Sequence, residues 1–140
     1  MKTKIIISVL AIATIVGVAL REKPVQSINA LLVQTNDEGN VEIAITPLVV
    51  AQSAPTWDFK IKMDTHSVEL DQDITKAAVL GDGRDDNSAP IAWEGTPAGG
   101  HHREGVLKFK PLKPRPKKIN LKITNIGGIP ERKYSWLVNK

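Results

Sequence analysis

The chain has 140 residues and no cysteine, with 19 Lys/Arg against 15 Asp/Glu and a net charge of +4. The lack of cysteine excludes disulfide staples, zinc ribbons, iron–sulfur sites and thiol chemistry. Aromatic residues make up only 4% of the chain, so Val, Ile and Leu must build most of one modest core, and the length fits one domain.

The first predicted element is an export segment. Lys2 and Lys4 precede the run Ile5 to Leu20, IIISVLAIATIVGVAL, which carries no charge and is closed by Arg21. A basic start followed by such a run marks residues 1–21 as a signal peptide or a membrane anchor. The run falls slightly short of the roughly 20 residues of a comfortable span. Small residues near Ala19, Ser27 and Ala30 offer cleavage points, so both the cleaved and the uncleaved form stay open. Either form predicts that residues 41–140 lie outside the cytoplasm, membrane-anchored or secreted into a periplasm or medium. With no cysteine there is no lipobox.

Residues 22–40 read as a linker, from Lys23-Pro24 to the turn-rich NDEGN, Asn36 to Asn40. The apolar stretch INALLV inside it fits a helical continuation or a first strand. From Val41 the texture changes to short alternating runs between turn residues. VEIAI alternates at Val41, Ile43 and Ile45. TWDFKIKMD is the clearest strand: Trp57, Phe59, Ile61 and Met63 fall on one face, and Asp58, Lys60, Lys62 and Asp64 on the other. HSVEL repeats the pattern briefly. ITKAAVL, Ile74 to Leu80, leads into the turn cluster GDGRDDN, with APIAWE expected as its hairpin partner. GTPAGGHHREG then leads into VLKFK. The three prolines of PLKPRP offer no ladder donor, which places that segment on an edge or a crossover. INLKITNI alternates next, and KYSWLV aligns Tyr134, Trp136 and Val138. Residues 41–140 are thus expected to form an all-β domain. The best fit is an immunoglobulin-like antiparallel β-sandwich of seven to eight strands, with a small barrel as the alternative.

Charge is divided along this domain. Val41 to Glu104 holds five Lys/Arg and eleven Asp/Glu, a net of −6; Gly105 to Lys140 holds ten Lys/Arg and one acid, a net of +9. One reading is a basic surface for an anionic or protein partner, such as lipid headgroups. The other is that strands of the two halves pair and their charges meet across the sheet. The basic run lacks interleaved aromatics, which argues against nucleic acid.

Three histidines are the main metal-ligating material. His101 and His102 sit in the glycine turn, and His66 in DTHSVELDQD. In extended chain adjacent side chains point to opposite faces, so one turn histidine at most joins His66. His66, one of His101 and His102, and Asp64 would suit zinc or copper(II). The competing reading is structural: Gly99 and Gly100 permit a tight reversal. One histidine then turns inward to Asp64 or a carbonyl, and Arg103 pairs with Glu94 or Asp71. Neither LDQD nor GDGRDDN has the alternating oxygen ligands and late Glu of an EF-hand calcium loop. Ser67 directly follows His66, and strand neighbours face apart, so no nucleophile–base pair is legible. Trp57 and Trp93 are expected in the core.

The stretches DTHSVELDQD, WEGTPAGGHHREGVLKF and IGGIPERKYSW resemble a group of small uncharacterised exported domains of bacteria and archaea, in which such segments occur together. The resemblance spans Val41 to Val138. It implies a single β-domain, draws attention to His66, His101, His102 and Arg103, and supplies no mechanism. A non-catalytic extracytoplasmic binding or scaffold module is therefore the expected function, with a histidine-based copper or zinc protein as the alternative.

Overall fold

Period-two alternation builds the molecule. In a computed structural model, which describes residues 31–85 and 87–138, eight strands and one short helix follow in order. They are β1 Gln34–Glu38, β2 Val41–Val49, β3 Trp57–Thr65, α1 Ile74–Ala77, β4 Ala78–Gly81, β5 Ala92–Gly95, β6 His102–Phe109, β7 Lys118–Ile126 and β8 Ile129–Leu137. They form a five-stranded sheet, β1-β2-β3-β6-β5, and a three-stranded sheet, β4-β7-β8, with every pairing antiparallel. The export segment expected at residues 1–21 lies outside the described residues.

The two sheets share one core. Trp57, Phe59, Ile61 and Met63 of β3 are fully buried, as the alternation predicts, and so are Val41, Ile43 and Ile45 of β2. From the other sheet come Ile119, Leu121 and Ile123 of β7 and Tyr134 and Trp136 of β8. Phe59 meets the Trp136 ring at 5.9 Å and Phe109 edge-on at 5.7 Å. The Tyr134 hydroxyl donates to the carbonyl of Ile43 across the sandwich at 3.2 Å, and burial raises its pKa. Arg132 is buried beside it, donating to the carbonyls of Glu38, Val41 and Ile126 and to the Asn36 side chain. That guanidinium ties the β1–β2 hairpin to the three-stranded sheet.

Three expectations need correction. The stretch read as linker includes β1: Gly39 and Asn40, both with positive φ, make a two-residue turn that pairs Gln34–Glu38 with β2, the geometry that twisted hairpins favour. The hairpin expected between ITKAAVL and APIAWE does not form. Ile74–Ala77 is a helical turn capped by Asp73, Ala78–Gly81 joins β7, and Ala92–Gly95 joins β6 in the other sheet. A single bridge, Leu80 with Ser88, is left of that pairing. HSVEL is loop, because the Thr65 hydroxyl accepts from the amides of Ser67 and Val68 and turns the chain out of the sheet. The proline segment is, as expected, a crossover: it links β6 of one sheet to β7 of the other.

The sandwich therefore has two unlike ends. The hairpin turn Gly39-Asn40, the loop after β3 and the loop before β6 gather at one, the histidine end. The proline crossover, the end of β2 and the end of β8 gather at the other, the proline end.

Candidate functional site at the histidine end

The DTHSVELDQD and GGHHRE loops are zipped together by their backbones. The amide of Leu70 donates to the Gly100 carbonyl at 2.9 Å, and the amide of Gly99 donates to the Leu70 carbonyl at 2.8 Å. The amide of Thr65 donates to the His101 carbonyl at 3.0 Å, and that of Gly100 to Glu69 Oε1 at 2.6 Å. Gly99 and Gly100 have φ of +114° and +74°, a region where a side chain is strained. The pair is what lets the chain reverse against Leu70.

Alternation from the first residue of β6 sorts the next side chains. His102 points outward and Arg103 inward, opposite Met63. It is thus the arginine, not a histidine, that turns into the molecule. Arg103 is 3% exposed and donates to the carbonyls of Leu70 and Gln72 at 3.1 and 2.7 Å, with its guanidinium 5.7 Å from the Trp93 ring. Burial lowers its pKa, partly offset by Asp73. It pairs with neither Glu94 nor Asp71: Asp71 is exposed, and Glu94 approaches Lys108 at 3.7 Å. Trp93 is half-buried against the core rather than inside it, its indole donating to the Thr96 carbonyl. Gly95 and Gly105 stand opposite each other beneath that ring. A Cβ on Gly105 would lie 2.6 Å from Gly95 Cα and 2.8 Å from the indole.

His102 Nδ1 lies 2.5 Å from Asp64 Oδ1, and Lys62 Nζ lies 3.2 Å from the other oxygen of the same carboxylate. The histidine contact is the larger cause holding the Asp64 carboxyl below its ordinary range, with Lys62 adding to it against a partial burial penalty. His66 and His101 are exposed. His66 borders the same depression as Asp64, while His101 lends its carbonyl to Thr65. Among the described residues, no three His, Asp or Glu side chains are grouped as they would be around a metal ion.

The register adds what the spacing could not. Asp37 stands opposite Glu42, Glu42 opposite Asp64, and Asp64 opposite His102. Opposed residues share a face, so three carboxylates and an imidazole form one row across four strands of the outer sheet surface. A depression of about 350 Å³ opens beside the row, bordered by Asp37, Glu42 and Asp64 and by Asn40, His66 and Ser67. Asp37 and Glu42 were not legible as site residues, because the hairpin that aligns them falls in the stretch read as linker.

No family model, curated protein or solved structure matches the chain.

Proposed function

We propose that the protein is an extracytoplasmic module, membrane-tethered or secreted, which binds a cationic group of a partner at its histidine end and has no catalytic activity. In architecture we read its two-sheet sandwich as immunoglobulin-like. The observation that carries the functional reading is the row Asp37, Glu42, Asp64 and His102. Like charges directly opposed in a sheet destabilise it, and Lys62 neutralises only the Asp64 end. A cation brought by a partner relieves the rest. The contacts of Arg103, Glu69 and Gly100 hold the loops around the row in one arrangement, which lowers the ordering cost of binding. Two of the stretches singled out in the sequence, DTHSVELDQD and GGHHRE, are hydrogen-bonded to each other beside this row.

The test is calorimetric titration of the full chain in detergent micelles with a nine-residue lysine peptide. Saturable binding is expected, with affinity reduced at least tenfold by Glu42→Gln combined with Asp64→Asn, about 1.4 kcal/mol. Absence of saturable heat, or affinity untouched by the double change, overturns the reading.

A second reading rests on the His102–Asp64 contact: zinc or copper(II) held by these two, with His66 or His101 swinging in. It predicts that either ion raises the melting temperature by several degrees and that His102→Ala abolishes the gain. Equal melting with and without metal contradicts it.

A further inference from the structure

The proline end differs from the histidine end in kind. All six large hydrophobic residues that are exposed among the described residues lie there. Leu32 and Val33 precede β1, and the Trp136 indole donates to the Leu32 carbonyl at 2.7 Å. Leu48 and Val49 end β2, beside the start of β3. Leu137 ends β8, opposite Lys118. Ile91 precedes β5, its amide donating to the Lys108 carbonyl. Leu32 and Leu137 are 76% and 71% exposed.

Cations surround them. Lys110, Lys113 and Lys117 of the crossover and Lys118 of β7 are all exposed, and the sequence from Gly105 to Pro130 contains no Asp or Glu. Of the nearby described carboxylates, Asp58 is paired with Lys108 at 3.0 Å and Asp82 with Arg84 at 2.8 Å, while Asp85 accepts from the neutral Asn87 amide and keeps its charge. Opposite lie Asp37, Glu42, Asp64 and Glu69. The fold thus carries part of the charge division of the sequence into a difference between ends. Only part of it is spent on pairing across strands, as in Lys108 with Asp58 and Glu94.

The described chain also begins at this end. Leu31 to Val33 lie beside Trp136, and the uncharged run Ile5 to Leu20 precedes them by ten residues.

We propose that the proline end lies on an anionic phospholipid surface, its exposed apolar side chains in the headgroup–acyl boundary and its lysines among the phosphates. Apolar residues within a basic rim bind such surfaces through both area and charge. Acids at the far end are repelled by the same surface, so the field also sets orientation. The histidine end then faces away from the membrane. This inference rests on the tether of the proposed function for its local concentration, but not on the ligand site.

Because the chain has no cysteine, single cysteines introduced for spin labels report each position separately. The full chain is reconstituted into phosphatidylcholine vesicles, with or without phosphatidylglycerol. Labels are carried by Leu137→Cys, by Ala98→Cys at the opposite end, and by Ile15→Cys in the tether. The oxygen-to-nickel accessibility ratio at 137 is expected to rise severalfold only in the anionic vesicles. At 98 it should stay that of water in both. The rise should vanish when Lys110, Lys113, Lys117 and Lys118 are changed to Gln, and shrink in about 1 M salt. A label at 137 equally wet in both vesicles overturns the proposal. So does equal lipid exposure in both, or protection in detergent without lipid, which would indicate a second copy on the patch. The label at 15 reads the tether independently: lipid at 15 with water at 137 sinks the docking and leaves the tether standing.

Discussion

Phe59 and Lys60 are neighbours with opposite fates. Phe59 is fully buried between Phe109 and Trp136, so Phe59→Ala should cost about 3–5 kcal/mol in denaturant unfolding. Lys60 is exposed and holds Glu104 at 2.6 Å; such surface pairs contribute about 0–1 kcal/mol, and Lys60→Ala should cost no more. Equal effects would mean the strand faces are misassigned. Asp82 carries the clearest acid-side linkage. Its carboxylate accepts from the amides of Arg84 and Asp85 and from the Arg84 guanidinium, and its pKa falls to about 2. A depressed folded pKa means stability present above the ordinary value of 3.8 and lost as pH falls toward about 2. Thermal melts of Asp82→Ala should therefore depend less on pH between about 4 and about 2 than those of the parent. An unchanged slope would show that the turn contacts do not persist in solution.

At the scale of elements, alternation revealed the strands that bury one face and little else. Trp57 to Met63 and Ile119 to Ile123 were legible because a half-buried strand writes its period into the sequence. Gln34–Glu38 was not: it is a polar edge strand, QTNDE, with no fully buried residue. Its existence depends on the Gly39-Asn40 turn and on the Gln34 side chain bonding the backbone of Ser135. The choice of sheet for Ala78–Gly81 and Ala92–Gly95 was equally hidden, since partners are set by core packing and not by the local run. At the site, the meeting of His102 with Asp64 could be foreseen from the glycine turn. The inward Arg103 required knowing where β6 begins, and the Asp37–Glu42 pairing required β1. The Gly95–Gly105 pair gives this scale its prediction. Gly105→Ala drives a Cβ to 2.7 Å from the Glu94 carbonyl and into the indole, and overpacking of that kind costs about 1–3 kcal/mol. Trp93 emission should shift with it. Gly100→Ala meets nothing within 4 Å and should cost only the roughly 1–2 kcal/mol of a left-handed backbone, with Trp93 emission unmoved. The same emission change in both would detach Trp93 from the glycine pair.

Charge is unevenly placed over the molecule: Asp37, Glu42, Asp64 and the histidines stand at one end, and Lys110, Lys113, Lys117 and Lys118 stand with the exposed aliphatics at the other, where Asp58 and Asp82 are held in ion pairs. Export is the premise on which both proposed surfaces depend, and it rests on Lys2, Lys4 and the run Ile5 to Leu20. Residues 1–40 fused to a reporter active only outside the cytoplasm should make it active; a silent, cytoplasmic reporter would contradict the proposed setting. The central claim is that the row Asp37, Glu42, Asp64 and His102 is a binding surface. It is tested most directly by amide chemical-shift mapping of the full chain in micelles, titrated with the nine-residue lysine peptide. The account predicts saturable shifts at the amides of Asp37, Glu42, Asp64, His66 and His102, with those of Lys113, Lys117 and Leu137 unmoved. Shifts scattered over both ends, or none at the histidine end, would contradict it.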